Sequence, residues 1–188
     1  MKRNALMIGA VVLGLAAAPA LSAQQPTTAE KANATMAAGQ KAPDETFVTR
    51  TAAAGMAEVE LGKMAVEKAS SEEVKKFAQR MVDDHSKAND ELKALAQRKN
   101  INLPDATDPQ LKAMQDRLSK FSGGAFDRAY MQVMISEHRK AVNEFRLASR
   151  AANDPDVKSW AAKTLPTLEE HLKMAQTTST VGTAGVKK

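Results

Sequence analysis

The sequence contains no cysteine, and this absence excludes two kinds of covalent linkage. Disulfide bonds and the lipid-modified cysteine of bacterial lipoproteins both need that residue. The mature chain therefore gains no disulfide from an oxidising compartment, and the lipoprotein route is closed to it. Aromatic residues are also scarce, at 4% of the chain, although 43% of it is hydrophobic. Alanine, leucine, valine and methionine therefore carry the apolar content, which favours helices packed closely through small side chains.

Two further absences narrow the fold class and the partners. No segment alternates between apolar and polar residues, so the sequence predicts an all-α protein without a β-sheet. No basic run is interleaved with aromatic residues, and the formal net charge is only +5, which argues against nucleic acid as a partner. The sequence leaves other partners and the oligomeric state unknown.

The N-terminal segment has the composition of a bacterial export signal. Lys2 and Arg3 precede an apolar run over Ala5–Ala20, which is too short for a membrane-spanning helix with its flanks. We expect a signal peptide, residues 1–23, that is cleaved after Ala23, and no transmembrane segment in the mature chain. The expected location is the periplasm.

The remaining chain is long enough for one helical domain with its own core. Residues 24–43 lack apolar periodicity and are predicted to be a disordered linker, and residues 177–188 a disordered tail. The folded domain is predicted to span residues 44–176. Four long helices fill it, with apolar positions spaced three and four apart.

Capping residues predict where these helices begin. Ser70 and Glu73 form a capping box that opens the second helix almost without a loop, so the first two helices should be antiparallel neighbours. A short extra helix should begin at Pro109 after the N-cap Asp108 and end before Gly123-Gly124, and Asp154 with Pro155 should open the fourth long helix. Pro166 should kink that helix.

Two glycines on the apolar face of the first helix predict a close contact. Gly55 and Gly62 lie one heptad apart, and each costs about 1 kcal/mol of helix propensity relative to alanine. Such a cost suggests that another backbone approaches closely at these positions.

The three histidines of the chain stand in a recurring context. His85, His138 and His171 each directly follow an acidic residue and precede a lysine by two positions. Residues three, four and seven positions away on a helix share a face. By this rule His85 and His138 point inward from apolar faces, Glu58 does so on the first helix, and His171 is a weaker case near its helix end.

Each long helix therefore contributes one inward-pointing polar residue. Three imidazoles and one carboxylate are costly in an apolar core unless something compensates them, and a divalent metal does so directly. The sequence predicts a metal site formed by Glu58, His85, His138 and His171, with iron, zinc, manganese and copper all open. Met81, Met134 and Met174 lie within one turn of the histidines and are interpreted as core filler, although their soft sulfurs keep copper open.

A buried hydrogen-bond network without metal is the alternative. Inward histidines commonly bind a backbone or hydroxyl partner, and Glu58 can pair with a protonated histidine. The acids before the histidines are expected to form exposed pairs with lysines three positions on, each worth about 0.2–0.5 kcal/mol, and contact with the site is their less favoured alternative role. These pairs are Asp84–Lys87, Glu137–Lys140 and Glu170–Lys173.

Four stretches resemble the bacterial exported family catalogued as domain of unknown function 4142. They are Ala57–Gly62, Val74–His85, Tyr130–His138 and Leu165–His171, and they recur in the expected order. The resemblance implies a ferritin-like four-helix bundle with an extra short helix between the second and third long helices. The family is often labelled an outer-membrane protein, and that label implies no established activity.

A di-iron centre, which a ferritin-like bundle suggests, is not supported by the residues present. Such centres take a glutamate from each of two helices and a Glu-x-x-His pair from each of the other two. Val82, Ile135 and Leu168 occupy the positions three before the histidines, so Glu58 alone matches the expected carboxylates. The sequence leaves a histidine-rich site for one ion, or the remnant of such a site.

Three functions are compatible with these features. The first is a periplasmic metal-binding bundle for storage, buffering or delivery. The second is a structural or stress-protective envelope protein in which the histidines only stabilise the core. The third, with the least support, is a redox or hydrolytic enzyme with a metal-bound water, which needs an open coordination position and a pocket.

Overall fold

The computed structural model describes residues 43–107 and 109–184, and this part of the chain holds five α-helices and no strand. The helices are α1 (Pro43–Lys68), α2 (Glu72–Arg98), α3 (Pro109–Leu118), α4 (Gly123–Ala151) and α5 (Pro155–Ala184). The predicted all-α bundle of four long helices, with a short helix between the second and the third, is therefore confirmed. None of the described helices is long and apolar enough to cross a membrane. The predicted signal peptide and the linker before Pro43 lie outside the described residues.

Two hydrophobic clusters fill the bundle, and all four long helices contribute to each. We call the first the methionine-free cluster; its buried members are Val48, Ala52, Leu92, Leu95, Ala96, Val142, Phe145, Ala148, Ala152, Val157, Trp160, Ala161 and Leu168. We call the second the methionine-rich cluster; its buried members are Leu61, Ala65, Ala69, Val74, Phe77, Ala78, Met81, Leu118, Phe126, Tyr130, Met131, Met134 and Ala175.

A layer of four polar residues lies where each long helix passes from one cluster to the other. Glu58 follows Ala52 and precedes Leu61 on α1, and His85 lies between Met81 and Leu92 on α2. His138 and His171 occupy the same boundary on α4 and α5. We call Glu58, His85, His138 and His171 the polar layer.

The order of the clusters along the helices also gives the topology. The α1–α2 and α4–α5 pairs are antiparallel hairpins, and the hairpins meet through α1 with α4 and α2 with α5. The connection between α2 and α4 crosses the length of the bundle, because Ile101 packs against the methionine-free cluster while Leu118 is buried in the methionine-rich one. One long crossover is the connection typical of ferritin-like folds.

Helix starts agree with the sequence at two helices and differ at a third. Pro109 and Pro155 open α3 and α5 as predicted, and Asp154 Oδ1 accepts hydrogen bonds from the backbone of Asp156 and Val157 at 2.8 and 3.2 Å. Asp108 lies outside the described residues. The N-cap of α2 is Ser71, whose Oγ accepts from Val74 N at 3.4 Å, and the prediction of Ser70 is wrong by one residue.

The last helix is longer than predicted. It continues through Pro166 and past the expected end at Gln176 to Ala184. The structure therefore differs from the predicted disordered tail over residues 177–184.

The contact between α1 and α2, which we call the α1–α2 seam, leaves little room for a Cβ at either glycine. A Cβ at Gly62 would lie 2.8 Å from Val82 Cγ2 and 3.1 Å from the carbonyl oxygen of Ala78, so the α2 backbone approaches closely, as predicted. At Gly55 the space is filled by the side chain of Asn89, and the prediction of a neighbouring backbone is wrong there.

Candidate metal centre

The polar layer is almost inaccessible to solvent. The exposed fraction is 8% for Glu58, 6% for His85, 0% for His138 and 1% for His171. The helices bring all four side chains to one level because each lies at the boundary between the two clusters. The structure thus places together every residue that the sequence singled out, His171 included, while their role as metal ligands stays a prediction.

The three histidines are spaced closely enough to share an ion. One ligand nitrogen from each lies within 4.8 Å of the others, which makes them the one such group of metal-ligating side chains in the described part of the chain. His85 Nε2 and His138 Nε2 are 3.4 Å apart. Two nitrogens that bind one ion tetrahedrally at about 2.0–2.1 Å are about 3.3 Å apart. The spacing of this pair therefore fits a single ion.

Glu58 supplies negative charge to the layer. Its Oε2 accepts a hydrogen bond from His85 Nε2 at 2.7 Å, and its Oε1 lies 3.8 Å from His138 Nδ1. Burial raises the pKa of the Glu58 carboxyl, but the charges of His85 and His138 outweigh burial and lower this pKa to about 2. Burial lowers the pKa of His85, but the charge of Glu58 outweighs it and the pKa is raised. Glu58 and His85 therefore form a buried ion pair.

The orientation of His138 is fixed by its own helix. Its Nδ1 donates a hydrogen bond to the carbonyl oxygen of Met134 at 2.9 Å. Because a carbonyl oxygen only accepts, Nδ1 carries a proton, and Nε2 is the nitrogen left to offer a lone pair. That nitrogen is the one next to His85 Nε2.

The fourth member, His171, is held by an acid that the sequence assigned elsewhere. His171 Nε2 lies 2.8 Å from Asp84 Oδ2, and the same oxygen lies 2.8 Å from Arg80 Nε. His171 Nδ1 is one of three buried side-chain polar atoms in the described residues that have no hydrogen-bond partner. Burial is the main cause that lowers the pKa of His171, to about 4, so the ring is neutral at pH 7.

Only one of the three expected acid–lysine pairs forms. Glu137 pairs with Lys140 at 2.8 Å as predicted. Asp84 and Glu170 instead meet the same Arg80 side chain, at 2.8 and 3.2 Å, and the predictions of Lys87 and Lys173 as their partners are wrong. Arg80 and Asp84 are spaced four apart on one helix, a signal that was available in the sequence. Glu170 lies on another helix, so no spacing along the chain predicts its contact with Arg80.

A second buried carboxylate lies outside the layer and was missed altogether. Asp127 is 8% exposed and accepts hydrogen bonds from the backbone N–H groups of Ser70 and Ser71, both at 3.0 Å, and from the Ser70 hydroxyl at 2.5 Å. It ties the α1–α2 turn to α4. This contact also explains the shifted cap, because Ser70 is occupied with Asp127 and Ser71 is left to cap α2.

A cavity of about 780 Å³ reaches the polar layer from one side. Glu58, Asp84, His85 and His171 line it, together with part of the connection between α2 and α3 and with α3 itself. His138 is not among the lining residues. An ion or a small molecule that enters this cavity therefore meets the layer on its Glu58–His85–His171 side.

The donor set can hold a first-row transition metal. It offers up to three imidazole nitrogens and one carboxylate oxygen. His171 Nδ1 carries a lone pair, His138 Nε2 is the nitrogen not used to bind Met134, and His85 Nε2 can bind an ion once it releases the proton that it donates to Glu58. Imidazole suits zinc, copper, iron and nickel. As the sequence indicated, hydrophobic Val82, Ile135 and Leu168 replace the glutamates that a di-iron centre needs at these positions.

Comparison with known proteins places the fold. A family model described as Domain of unknown function (DUF4142) matches residues 18–178. CopM in its Cu(II)-bound form is similar in structure, with a TM-score of 0.62 and 19% identity over 73% of this chain and 95% of CopM. Its Cu(I)-bound form gives a TM-score of 0.61 and 20% identity over the same shares of 73% and 95%.

A third similar structure is a Streptomyces coelicolor protein described as a secreted DUF305 protein. Its TM-score is 0.58 and its identity 16%, over 70% of this chain and 88% of that one. At these identities the likenesses show the helical-bundle fold alone. No curated protein sequence matches the chain.

Proposed function

The chain belongs to the family described as Domain of unknown function (DUF4142), and we propose that it is an exported, periplasmic bundle that binds one divalent metal ion through Glu58, His85, His138 and His171. One observation carries this proposal. Three buried imidazoles lie within 4.8 Å of one another, and the buried Glu58 carboxylate lies 2.7 Å from one of them. Such groups are costly in an apolar core, and a metal ion compensates them directly.

Copper is the ion that the surroundings favour. At nitrogen and oxygen donors copper(II) binds more tightly than the other divalent first-row metals. Met81, Met134 and Met174 each stand within one turn of a histidine, on the side of the methionine-rich cluster, where a soft sulfur can bind copper(I). The similar fold of CopM, known in Cu(I)-bound and Cu(II)-bound forms, supports the same choice.

The proposed role is copper storage, buffering or delivery in the periplasm. The N-terminal segment supports export, with a signal peptide cleaved after Ala23 and a linker up to residue 43 ahead of the bundle. The likeness to a protein described as secreted agrees with that location. Partners and oligomeric state are left open.

Elemental analysis tests the proposal. The mature chain is exposed to an equal mixture of iron, manganese, zinc and copper and is then dialysed. We expect near-stoichiometric copper in the parent and none in a Glu58→Ala/His85→Ala double variant. Asp127→Asn is the matched control, because Asp127 is a buried carboxylate outside the layer, and this variant should retain the metal. A parent that retains no metal would overturn the proposal.

A structural or stress-protective role is the second candidate, and the hydrogen bonds of the layer favour it. Glu58 with His85, Asp84 with His171 and Met134 with His138 already satisfy most of the polar atoms without an ion. A ligand that binds the native state alone raises its stability. Copper should therefore raise the melting temperature under the first proposal and leave it unchanged under this one.

The cavity favours a third candidate, an enzyme with a metal-bound water. Such a site needs an open coordination position and a route from solvent, and the cavity offers a route to Glu58, His85 and His171. Hydrolysis of activated esters by the copper- or zinc-loaded protein, absent from the double variant, would support this function. If the metal-loaded protein has no such activity, metal binding without catalysis is the role that remains.

A further inference from the structure

We infer that His171 binds the proposed metal through Nδ1, whereas His85 and His138 present Nε2, and that Asp84 is the positioning residue that imposes this difference. The inference rests on the proposed metal site and adds to it the ligand atom of each histidine. Asp84 itself is not proposed as a ligand. Its part is to hold the proton of His171 on the nitrogen that faces away from the ion.

One oxygen of Asp84 faces both Arg80 and His171. Asp84 Oδ2 lies 2.8 Å from Arg80 Nε and 2.8 Å from His171 Nε2. A guanidinium has no lone pair to offer, so it donates and Oδ2 accepts. An ionised carboxylate oxygen accepts from both neighbours, and His171 Nε2 must therefore carry its proton.

A neutral imidazole has its proton on one ring nitrogen and its lone pair on the other. When Nε2 carries the proton, Nδ1 carries the lone pair. This Nδ1 is buried, since His171 as a whole is only 1% exposed, and it has no hydrogen-bond partner among the described residues. A buried acceptor without a donor is unfavourable unless something binds it, and a metal ion is a suitable partner.

The other two histidines differ from His171 in the nitrogen that is left for a ligand bond. His138 uses Nδ1 to donate to Met134 O at 2.9 Å, which leaves Nε2 for a ligand bond. His85 Nε2 lies 3.4 Å from that nitrogen and donates to Glu58 at 2.7 Å, so it also faces the layer. A metal ion that binds this nitrogen takes the place of its proton, which is released. One nitrogen of each ring lies within 4.8 Å of the others, and each ring has its orientation set by a different partner.

Arg80 completes the arrangement. It binds Asp84 on its own helix and Glu170 on α5 at 3.2 Å, next to His171 in sequence. Arg80 therefore connects Asp84 on α2 with Glu170 on α5, the helix that bears His171. Carboxylates that orient a metal-binding histidine in this way typically contribute about 10–100-fold in metal affinity.

Nuclear magnetic resonance can read the tautomers directly. Long-range ¹H–¹⁵N correlations are recorded on the ¹⁵N-labelled mature chain at pH 7, first without metal and then with zinc(II), a diamagnetic probe. Without metal we expect His171 as the Nε2–H tautomer and His138 as the Nδ1–H tautomer. With zinc(II) the Nδ1 resonance of His171 and the Nε2 resonances of His85 and His138 should shift.

Variants at Asp84 provide the second readout. Asp84→Ala should mix the His171 tautomers and weaken zinc(II) binding about 10–100-fold. Asp84→Asn keeps an acceptor oxygen, so it should restore most of the affinity and serves if the alanine variant unfolds. Asp83→Ala is the matched control, because Asp83 is an exposed acid one position away that accepts from Gln79 at 2.9 Å, and it should change neither readout.

The outcomes separate this inference from the proposed function. A His171 that is the Nδ1–H tautomer, a zinc-induced shift at His171 Nε2, or unchanged affinity in Asp84→Ala would overturn the inference while the metal site stands. A parent that binds no zinc(II) or copper would overturn the proposed function. The tautomers of the metal-free chain would still test the role of Asp84.

Discussion

The two halves of the core differ in their side chains although the same four helices build both. Each half has three aromatic rings in contact: Phe47, Phe145 and Trp160 in one, with centroids 5.1–6.3 Å apart, and Phe77, Phe126 and Tyr130 in the other. Aromatic packing is therefore common to the two ends. Methionine is not, because Met81, Met131 and Met134 are buried in one cluster and no methionine is among the described members of the other.

This difference suggests that the two clusters on either side of the polar layer have different roles. The methionine-free cluster offers rigid side chains with defined rotamers, which suit it to hold the helix ends in register. The methionine-rich cluster offers flexible thioethers that adapt in shape and bind soft ions. The polar layer thus lies between a half that only packs and a half whose thioethers are proposed to bind copper(I).

The largest expected effect is a loss of packing without a loss of metal. Phe145→Ala removes a buried ring from the methionine-free cluster and should lower the free energy of unfolding by about 3–5 kcal/mol. Since Phe145 is no ligand, the folded variant should still bind one copper ion. Denaturant unfolding and elemental analysis measure the two quantities. Folded protein that has lost its copper would contradict the purely structural role of this half.

The next effect comes from the layer itself and appears as a pH dependence. The pKa of His171 is about 4 in the folded chain and about 6.5 when unfolded, so the unfolded state binds more protons between these values. The stability of the metal-free protein should therefore fall by about 3 kcal/mol as the pH drops from 6.5 to 4. Urea unfolding at a series of pH values measures it. His171→Gln should remove most of this slope, and an equal slope in that variant would assign it to other groups.

A smaller effect compares the two halves along the α1–α2 seam. Gly62→Ala forces a Cβ against Val82 and the Ala78 carbonyl and should lower the free energy of unfolding by about 1–3 kcal/mol. Gly55→Ala meets only the end of the Asn89 side chain, which can rotate away, and alanine gains about 1 kcal/mol of helix propensity. Thermal unfolding should therefore rank Gly55→Ala above Gly62→Ala. The reverse order would mean that the backbone approach at Gly62 is not limiting.

The variants with the smallest expected effect on stability, which replace methionine by leucine, should have the clearest effect on metal preference. Replacing Met81, Met134 and Met174 by leucine keeps the volume, so each change should cost less than about 1.5 kcal/mol. Competition with a copper(I) chelator should nevertheless show weaker copper(I) binding, because the soft sulfurs next to the layer are gone. Met131→Leu is the control, since Met131 is as buried as Met81 and Met134 in the same cluster but lies two turns from His138. Equal copper(I) affinity in all variants would make the methionines core filler.

Much of the fold and the centre of the site could be predicted because they depend on local periodicity. Glu58, His85 and His138 lie on apolar helix faces near the middle of their helices, so they must meet near the middle of any bundle that those helices form. The roles of Asp84 and Asp127 could not be predicted in the same way. Asp84 lies on the flank of α2 and is recruited by His171, and Asp127 binds Ser70 across 57 residues of sequence. Such contacts depend on which helices become neighbours, and helix periodicity does not encode that choice.

Anomalous diffraction from crystals of the copper-loaded protein tests the central claim most directly. Data collected on both sides of the copper absorption edge locate the ion without reference to any assumed ligand. We predict one strong peak within the polar layer, bonded to Nε2 of His85, Nε2 of His138 and Nδ1 of His171, with Glu58 beside it. A peak elsewhere on the chain, or an empty layer in protein that has retained copper, would contradict the account.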